Sequence, residues 1–354
     1  MNTERMKTIL EQIGDELDTT NIIERLRGLE NSLQQEARQP GVASVETQVK
    51  SQIEELLAAL QRAPSSELGE VWRHCVRELE LHNALASSIE ERVRTIIAKN
   101  QLSPAVAAGE IAALRESLTE TRRIVGQTVE SLTHFGVREA PIPAEMAELG
   151  ILIPRAAVSN TLHEFGTEAA DLGQIINSIG EAVTGSVQNS QIKAISSSEI
   201  LISLWVDCSV AKALAKILSN LMKSYNDVLE VREYREKLKE RGLTTQQLSG
   251  LDEYARSEMG KVIDEQVEDI LGQSGKKEAG PNEPRSMFKI ALWGLAKRLD
   301  TGYNFDVRQS NAAESDGNEL QRDAAETIRN IRKHLQFSKA GGERLLELPQ
   351  AVAR

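Results

Sequence analysis

Residues 196–242, SSSEILISLWVDCSVAKALAKILSNLMKSYNDVLEVREYREKLKERG, contain the change of pattern on which the fold depends. The run Ile200–Val206 is apolar and rich in β-branched residues, which is typical of a strand buried on both faces. From Asp207, which can cap a first helical turn, apolar residues recur at helical spacing as far as Gly242. The stretch therefore predicts a buried strand that leads directly into a helix over 207–241.

The predicted helix is long for the domain that would anchor it. About 30 residues at about 1.5 Å per residue give a rod of about 45 Å. We expect its far end to project and to contact another module or another subunit. The candidate partner face consists of Tyr225, Val228, Arg232 and Arg235. Charges of both signs alternate over 230–242, which favours a solvated helix surface over a partner-binding one.

The composition is that of a folded chain dominated by helices. Of its 354 residues, 40% are hydrophobic and only 3% are aromatic, which favours helices packed through aliphatic faces. This length predicts two domains, with three as the alternative. The net charge of −11 and the lack of a basic patch argue against nucleic acid as a partner.

Targeting and membrane signals are missing from the sequence. The first 18 residues carry acids early and lack the apolar core of a signal peptide. No uncharged apolar run approaches the roughly 20 residues that a membrane-spanning helix needs. Cys75 and Cys208 lie in apolar helical patterns, which predicts buried thiols rather than a disulfide. We expect a cytoplasmic protein.

The N-terminal part has the pattern of a helical bundle. Apolar stripes at helical spacing predict three short helices, with inward faces that include Ile9, Leu26 and Leu56. Two longer helical patterns follow, one from about 66 to 100 and one from Ser103 to 136. Joined by a tight turn, these two would form a helical hairpin.

Proline placement divides the chain. VREAPIPAEMAELG, which covers 137–150, contains two prolines two residues apart, a spacing that a regular helix does not tolerate. We therefore predict an all-helical module over 1–136 and a linker over 137–149. An α/β module over 150–308 follows, then a second linker over 309–319, and a C-terminal helix and tail over 320–354.

The α/β module is predicted to contain about three strands. An apolar run at 150–154, the segment 192–206 and the alternating residues 303–308 have strand patterns. A helix over 159–184 lies between the first two, and strand, helix, strand is the arrangement of a right-handed crossover with parallel strands. The fold class is therefore mainly α with a small α/β part, in which a short sheet is flanked by long helices.

Three glycines in the helix over 159–184 have a regular spacing. Gly166, Gly173 and Gly180 are seven residues apart. An interior glycine costs about 1 kcal/mol relative to alanine. We therefore expect this helix to approach a neighbouring element closely along that stripe.

No established catalytic motif is complete. His163 and Glu164 begin an HExxH pattern, but Thr167 occupies the position of the second zinc-ligating histidine. His74 and Glu78 are one turn apart, which is compatible with a metal pair but is more typical of a polar pair. Neither a dinucleotide nor a phosphate-loop fingerprint is present. The sequence thus predicts no catalytic, cofactor-binding or metal-binding residue.

One weaker candidate site follows from the predicted sheet. In open parallel sheets, residues at the carboxyl ends of strands often face a ligand crevice. Arg155, Asp207 and Asp306 follow or lie near the ends of the three predicted strands and form this candidate crevice. The alternative role for Asp207 is to cap the helix that follows it.

These observations favour a non-enzymatic cytosolic interaction or scaffold protein. We expect an oligomerising, accessory or sensing subunit that binds a protein partner or itself and needs no cofactor. The surplus of amphipathic helix favours a subunit of a multi-component system. The order of helical hairpin, strands and long helix is similar to that of uncharacterised bacterial proteins, which implies a bacterial source but no mechanism. The alternatives are a membrane-active helical effector of the pore-forming type, although membrane contact is disfavoured, and an enzyme with a site near the strand ends.

Overall fold

The computed structural model describes residues 3–138, 140–143, 145–187, 190–196, 200–273, 283–309, 319–332 and 345–346. The chain forms two compact units. Unit 1 comprises 1–68 and 72–140, and unit 2 comprises 69–71 and 141–354. Most of the predicted second linker and of the predicted tail lies outside the described residues.

Unit 1 is entirely helical in its described part. Its helices are α1 (Thr3–Thr19), α2 (Ile22–Arg38), α3 (Ala43–Gln61), α4 (Glu70–Glu78), α5 (Ala86–Lys99) and α6 (Pro104–His134). Helix α2 packs on α3 and α6, and α1 also packs on α6. The predicted inward residues Ile9, Leu26 and Leu56 are all buried, so apolar spacing identified these faces correctly.

The predicted hairpin in unit 1 is only half present. The second arm is the continuous 31-residue helix α6, as expected. The first arm is wrong, because the pattern over 66–100 holds two shorter helices, α4 and α5, separated by turns between Glu78 and Ala86. Glu80 adopts a left-handed backbone conformation with φ of 57°, which a continuing helix does not allow.

A buried carboxylate helps to organise unit 1. Glu16 of α1 accepts hydrogen bonds from the backbone N–H of Ser65 at 2.5 Å and from its hydroxyl at 2.6 Å. The Ser65 hydroxyl oxygen in turn accepts from the N–H of Ala86, the first residue of α5. Burial raises the pKa of Glu16 above its usual value, although these hydrogen bonds oppose the shift.

Unit 2 combines a four-stranded sheet with five helices among its described residues. The strands are β1 (Met146–Ile153), β2 (Gln191–Ser196), β3 (Ile200–Asp207) and β4 (Asn304–Gln309). The helices are α7 (Leu162–Thr184), α8 (Cys208–Glu240), α9 (Thr245–Gln273), α10 (Glu283–Asp300) and α11 (Glu319–Arg332). The protein is therefore mainly α with a small α/β part.

The sheet is antiparallel, and the prediction of parallel strands is wrong. Its order is β2-β3-β1-β4, and each neighbouring pair is antiparallel. The segment 192–206, predicted as one strand, holds two strands, β2 and β3, which pair with each other. Helix α7 therefore joins β1 to β2, two strands that run in the same direction but are separated by β3. Strand β1 also begins at Met146, inside the predicted linker 137–149.

One face of the sheet meets the helices. Successive side chains of a strand point to opposite faces, so Leu149 and Ile151 of β1 share a face. With Ile202 and Leu204 of β3, they belong to the large apolar core of unit 2, to which α7, α8, α9 and α10 contribute. The strands thus supply one apolar face against which the long helices pack.

Helix α8 is not an overhanging rod. It spans 33 residues, as predicted, which corresponds to about 50 Å. Its buried residues continue to Arg235, near its end. Helix α9 follows α8 after a short turn and packs against it, as do α7, α10 and α11. One side of α8 is therefore covered by its own chain along almost its whole length.

At two of the three glycines of α7 the predicted close contact is not found, whereas Gly180 is buried. Gly166 and Gly173 have open space where a Cβ would lie. Gly294 of α10 is the crowded position, because a Cβ there would lie 2.7 Å from Cδ1 of Ile175 on α7. Helices α7 and α10 therefore approach each other at Gly294, which does not belong to the regularly spaced set of glycines in α7.

Candidate functional site

The predicted strand-end crevice does not form. Asp207 pairs with Met146, the first residue of β1, whereas Arg155 follows the last residue of the same strand. The two side chains therefore belong to opposite ends of the sheet. Asp306 pairs with Gly150, in the middle of β1. The prediction placed these three residues together because it assumed parallel strands, whose carboxyl ends share one edge.

Each of the three residues has a different local environment instead. The Oδ1 atom of Asp207 accepts a hydrogen bond of 2.8 Å from the N–H of Ser209, so Asp207 caps α8 as in the alternative interpretation. Arg155 donates to the Oδ1 atom of Asn160 at 2.9 Å, in an exposed position. Asp306 is buried within β4, with 4% of its surface exposed.

A cavity of about 470 Å³ lies beside the first turns of α8. Its walls come from α8, the second half of α9 and the start of α11, with contributions from the ends of α7 and β3. The apolar residues of the lining include Val183, Ala213, Ile217, Ile270 and Ala324. This volume lies within the usual range for small-molecule sites. Asp207, predicted to face a crevice, lines this cavity, whereas Arg155 and Asp306 are not among its described lining residues.

Charged side chains surround the apolar part of the cavity. They are Glu145, Asp207, Lys212, Lys216, Asp269 and Asp323. Lys212 of α8 and Asp323 of α11, both lining residues, form an ion pair. The hydrogen bond from Lys212, together with the charges of Lys212 and Lys216, lowers the pKa of Asp323. The lowered pKa keeps Asp323 ionised at neutral pH, and its ion pair with Lys212 links α11 to α8.

The cavity wall includes a buried thiol. Burial, assisted by the nearby charge of Asp207, raises the pKa of Cys208 to about 11. A hydrogen bond of 2.9 Å donated by Nε2 of Gln309 to the sulfur partly opposes this shift. Since the thiolate is the reactive form of cysteine, Cys208 is poorly suited to act as a nucleophile at neutral pH.

Gln266 of α9 is an unusual member of the lining. Only 6% of its surface is exposed, and neither atom of its side-chain amide has a hydrogen-bond partner among the described residues. Leaving such a group unsatisfied costs about 1–3 kcal/mol. An apolar side chain of similar size would avoid this cost. The sequence pattern did not indicate that Gln266 is buried.

The predicted partner face is buried within the chain. Tyr225, Val228, Arg232 and Arg235 each expose 4% of their surface or less. Arg235 pairs with Asp252 of α9, with 2.9 Å between Nε and Oδ1. These four residues are therefore not available to a partner in this structure, and this prediction is wrong.

Two residues of that face instead surround a buried carboxylate. Asp300, at the end of α10, has a fully buried side chain. Its Oδ1 atom accepts hydrogen bonds from Arg232 and, at 3.3 Å, from the Tyr225 hydroxyl. Its Oδ2 atom accepts from the backbone N–H groups of Leu345 and Leu346 at 2.7 and 2.9 Å. The face predicted to bind a partner thus holds a segment of the chain's own C-terminal region.

The environment of Tyr225 agrees with this arrangement. Burial and the charge of Asp300 raise the pKa of its phenol to about 12, although Arg232 opposes the shift. The hydroxyl therefore stays protonated and continues to donate to the carboxylate at all ordinary pH values. No sequence pattern indicates this cluster, because its members are far apart along the chain.

A second charged cluster lies on the face of the sheet opposite the helical core. Oε2 of Glu148, on β1, is 3.0 Å from Nζ of Lys193 and 2.5 Å from Nη2 of Arg308. Glu148 exposes only 2% of its surface. The ladder between β2 and β3 shifts register between Ile192 and Ala194, so Lys193 occupies a β-bulge. A bulge changes the direction in which a side chain points. Here the Lys193 side chain of β2 contacts Glu148 of β1, although β3 lies between these two strands.

Metal-binding clusters and membrane-spanning helices are absent from the described residues. The described residues contain no group of three or more His, Cys, Asp or Glu side chains arranged to hold a metal ion. His74 and Glu78 form a polar pair, with 4.0 Å between Nε2 and Oε1. No described helix combines the length and the apolar character that crossing a bilayer requires.

Comparisons with protein-family models, with curated proteins and with solved structures found no match for this chain.

Proposed function

We propose that this chain is a non-enzymatic accessory or sensing protein whose unit 2 binds a small molecule. The cavity between α8, α9 and α11 is the observation that carries the proposal. Its lining combines apolar residues with charged and amide side chains, and a pocket of this size that offers both kinds of group can bind and orient a small molecule. The ligand class that fits it has an apolar body that contacts residues such as Ile217 and Ile270.

The polar groups of the cavity support binding rather than catalysis. The thiol of Cys208 has a pKa of about 11, far from the values near neutrality that general acids, bases and nucleophiles need. The pKa of Asp323 is lowered rather than raised, which suits a permanent charge. No histidine is among the described lining residues.

Sensing requires that a bound ligand change the contacts of a movable element. Helix α11 supplies part of the cavity wall and is linked to α8 there by the ion pair between Asp323 and Lys212. A ligand in the cavity would contact both helices and so favour one arrangement of α11 over another. In this proposal, a protein partner or a second copy of the chain responds to that arrangement.

We propose that the protein acts in the cytosol, as part of a bacterial multi-component system. Two buried thiols, Cys75 and Cys208, are in keeping with a reducing compartment. Light scattering after size-exclusion chromatography, with pull-down and mass spectrometry, tests the partner. A strictly monomeric protein that recovers no partner would contradict this part.

Ligand binding is tested with a matched pair of variants. Ala213 is half-buried and lines the cavity, so Ala213→Phe should fill it. Asn220→Phe places the same side chain at an exposed position of α8 that is not among the lining residues. Both variants should keep the helical circular dichroism of the natural protein.

A fragment library screened by saturation-transfer NMR supplies the measurement. We expect fragments with an apolar body to bind the natural protein and Asn220→Phe with Kd near or below about 1 mM, and to lose binding to Ala213→Phe. Fragments that bind all three proteins equally, or no binding to the natural protein, would refute the cavity as the site.

A further inference from the structure

Leu345 and Leu346 are integrated into unit 2 without belonging to a helix or a strand. They expose 3% and 0% of their surface and are part of the apolar core that includes Tyr225 and Val228. In their burial and their contacts, they resemble a short peptide docked on α8 and α10.

The residues that hold the dipeptide are also paired with one another. Arg232 of α8 and Asp300 of α10 form an ion pair through Oδ1, and the Tyr225 hydroxyl donates to the same atom. This leaves Oδ2 to accept the backbone N–H groups of Leu345 and Leu346. Removing the dipeptide therefore leaves the buried charge of Asp300 paired, and water can replace the two amide donors.

The contacts are of a kind that another chain can reproduce. Asp300 binds main-chain N–H groups, which every residue except proline offers. The two leucine side chains add apolar burial. Any extended segment with two consecutive leucines presents the same groups, and peptide-recognition sites combine main-chain hydrogen bonds with side-chain pockets in this way.

We propose that Leu345–Leu346 is a detachable internal ligand, and that the Asp300 site binds a leucine-pair peptide of a partner protein when this segment leaves. Twelve residues, 333–344, connect α11 to the dipeptide. This site does not depend on the cavity. It adds to the proposed function the kind of partner segment that would bind, a pair of leucines.

A fluorescent peptide with the sequence of residues 341–350, GGERLLELPQ, is the probe. The full chain with Leu345→Asp and Leu346→Asp should vacate the site, because a carboxylate cannot replace a buried leucine without a partner. Fluorescence anisotropy should show at least about tenfold tighter peptide binding to this double variant than to the natural protein, whose own segment competes.

The peptide also tests the hydrogen bonds without a change in the protein. N-methylation of both leucine nitrogens removes the donors to Asp300 and should weaken binding at least about tenfold. A scrambled peptide of the same composition is the control and should not compete. Equal binding of the methylated and unmethylated peptides, or no binding to a folded double variant, would overturn the proposal.

Hydrogen exchange of the natural protein decides the case if the double variant does not fold. A detachable segment predicts that the Leu345 and Leu346 amides exchange by local opening, faster than those around Tyr225 and unaffected by low urea. Exchange of both regions at one rate, through global unfolding, would show that the dipeptide is a permanent part of the core. A dimer whose formation requires Leu345–Leu346 would replace the partner protein with a second copy.

Discussion

Replacing Asp300 by asparagine is the most direct test of the energetics of unit 2. The substitution keeps the size of the side chain but removes the charge that faces Arg232. Both partners are buried, with side-chain exposures of 0% for Asp300 and 5% for Arg232. The arginine would be left as a buried charge without its carboxylate, and loss of one member of such a pair costs about 3–5 kcal/mol.

The asparagine oxygen can still accept one or two of the original donors, so the lower end of that range applies. We expect Asp300→Asn to lower the unfolding free energy of unit 2 by about 3 kcal/mol. Urea unfolding followed by circular dichroism, with hydrogen exchange of α8 and α10, measures it. Asp323→Asn is the matched control, because its pair with Lys212 is more exposed and should contribute about 0–1 kcal/mol. A loss below about 1 kcal/mol for Asp300→Asn would refute a strong buried pair.

Three further predictions use the same measurement. Gln266→Leu should stabilise the protein by about 1–3 kcal/mol by removing an unsatisfied buried amide, whereas exposed Gln246→Leu should have little effect; equal effects would contradict this. Gly294→Ala should cost about 1–2 kcal/mol through overpacking, and Gly166→Ala should add about 0.5–1 kcal/mol; the reverse order would contradict the helix contacts. Because burial raises the pKa of Glu16, its contribution is present below the unfolded pKa and is lost as pH rises through the folded pKa. The stability of the natural protein relative to Glu16→Gln should thus fall from pH 4 towards pH 7, and a constant difference would contradict this.

Local patterns predicted local structure well. The change from strand to helix at Asp207 lies where the residue pattern placed it, and β3 and α8 meet there. The side chain of Asp207 caps the helix through Ser209. Such features depend on neighbouring residues, so they can be derived from a short stretch of sequence.

Strand direction could not be derived in that way. Parallel and antiparallel neighbours use similar apolar residues, and the pairing of β1 with β3 joins residues about 50 positions apart. The sequence of 192–206 also gave no clear sign that it contains two strands. Because the predicted strand direction was wrong, the three residues Arg155, Asp207 and Asp306 do not meet at one edge of the sheet.

The burial of Arg232 and Arg235 of α8 also depends on residues that are distant in the sequence, so it could not be predicted from the local pattern. Alternating charges over 230–242 favoured a solvated or partner-binding helix surface. Arg232 and Arg235 are buried because Asp300 and Asp252 supply their counter-charges from α10 and α9. An arginine whose carboxylate lies on another helix has no local signature, so a sequence pattern alone assigns it to the surface.

The bulge at Lys193 has a consequence for self-association through the sheet. Strand β2 lies at one edge, and Ile192 and Ile195 are 67% and 51% exposed there. A regular apolar edge of this kind would invite another strand and lead to aggregation. The irregular backbone at Lys193 interrupts the even row of amides that an incoming strand would need, and its ammonium group is engaged by Glu148. The edge is therefore a poor template for growth of the sheet, even though its side chains are apolar.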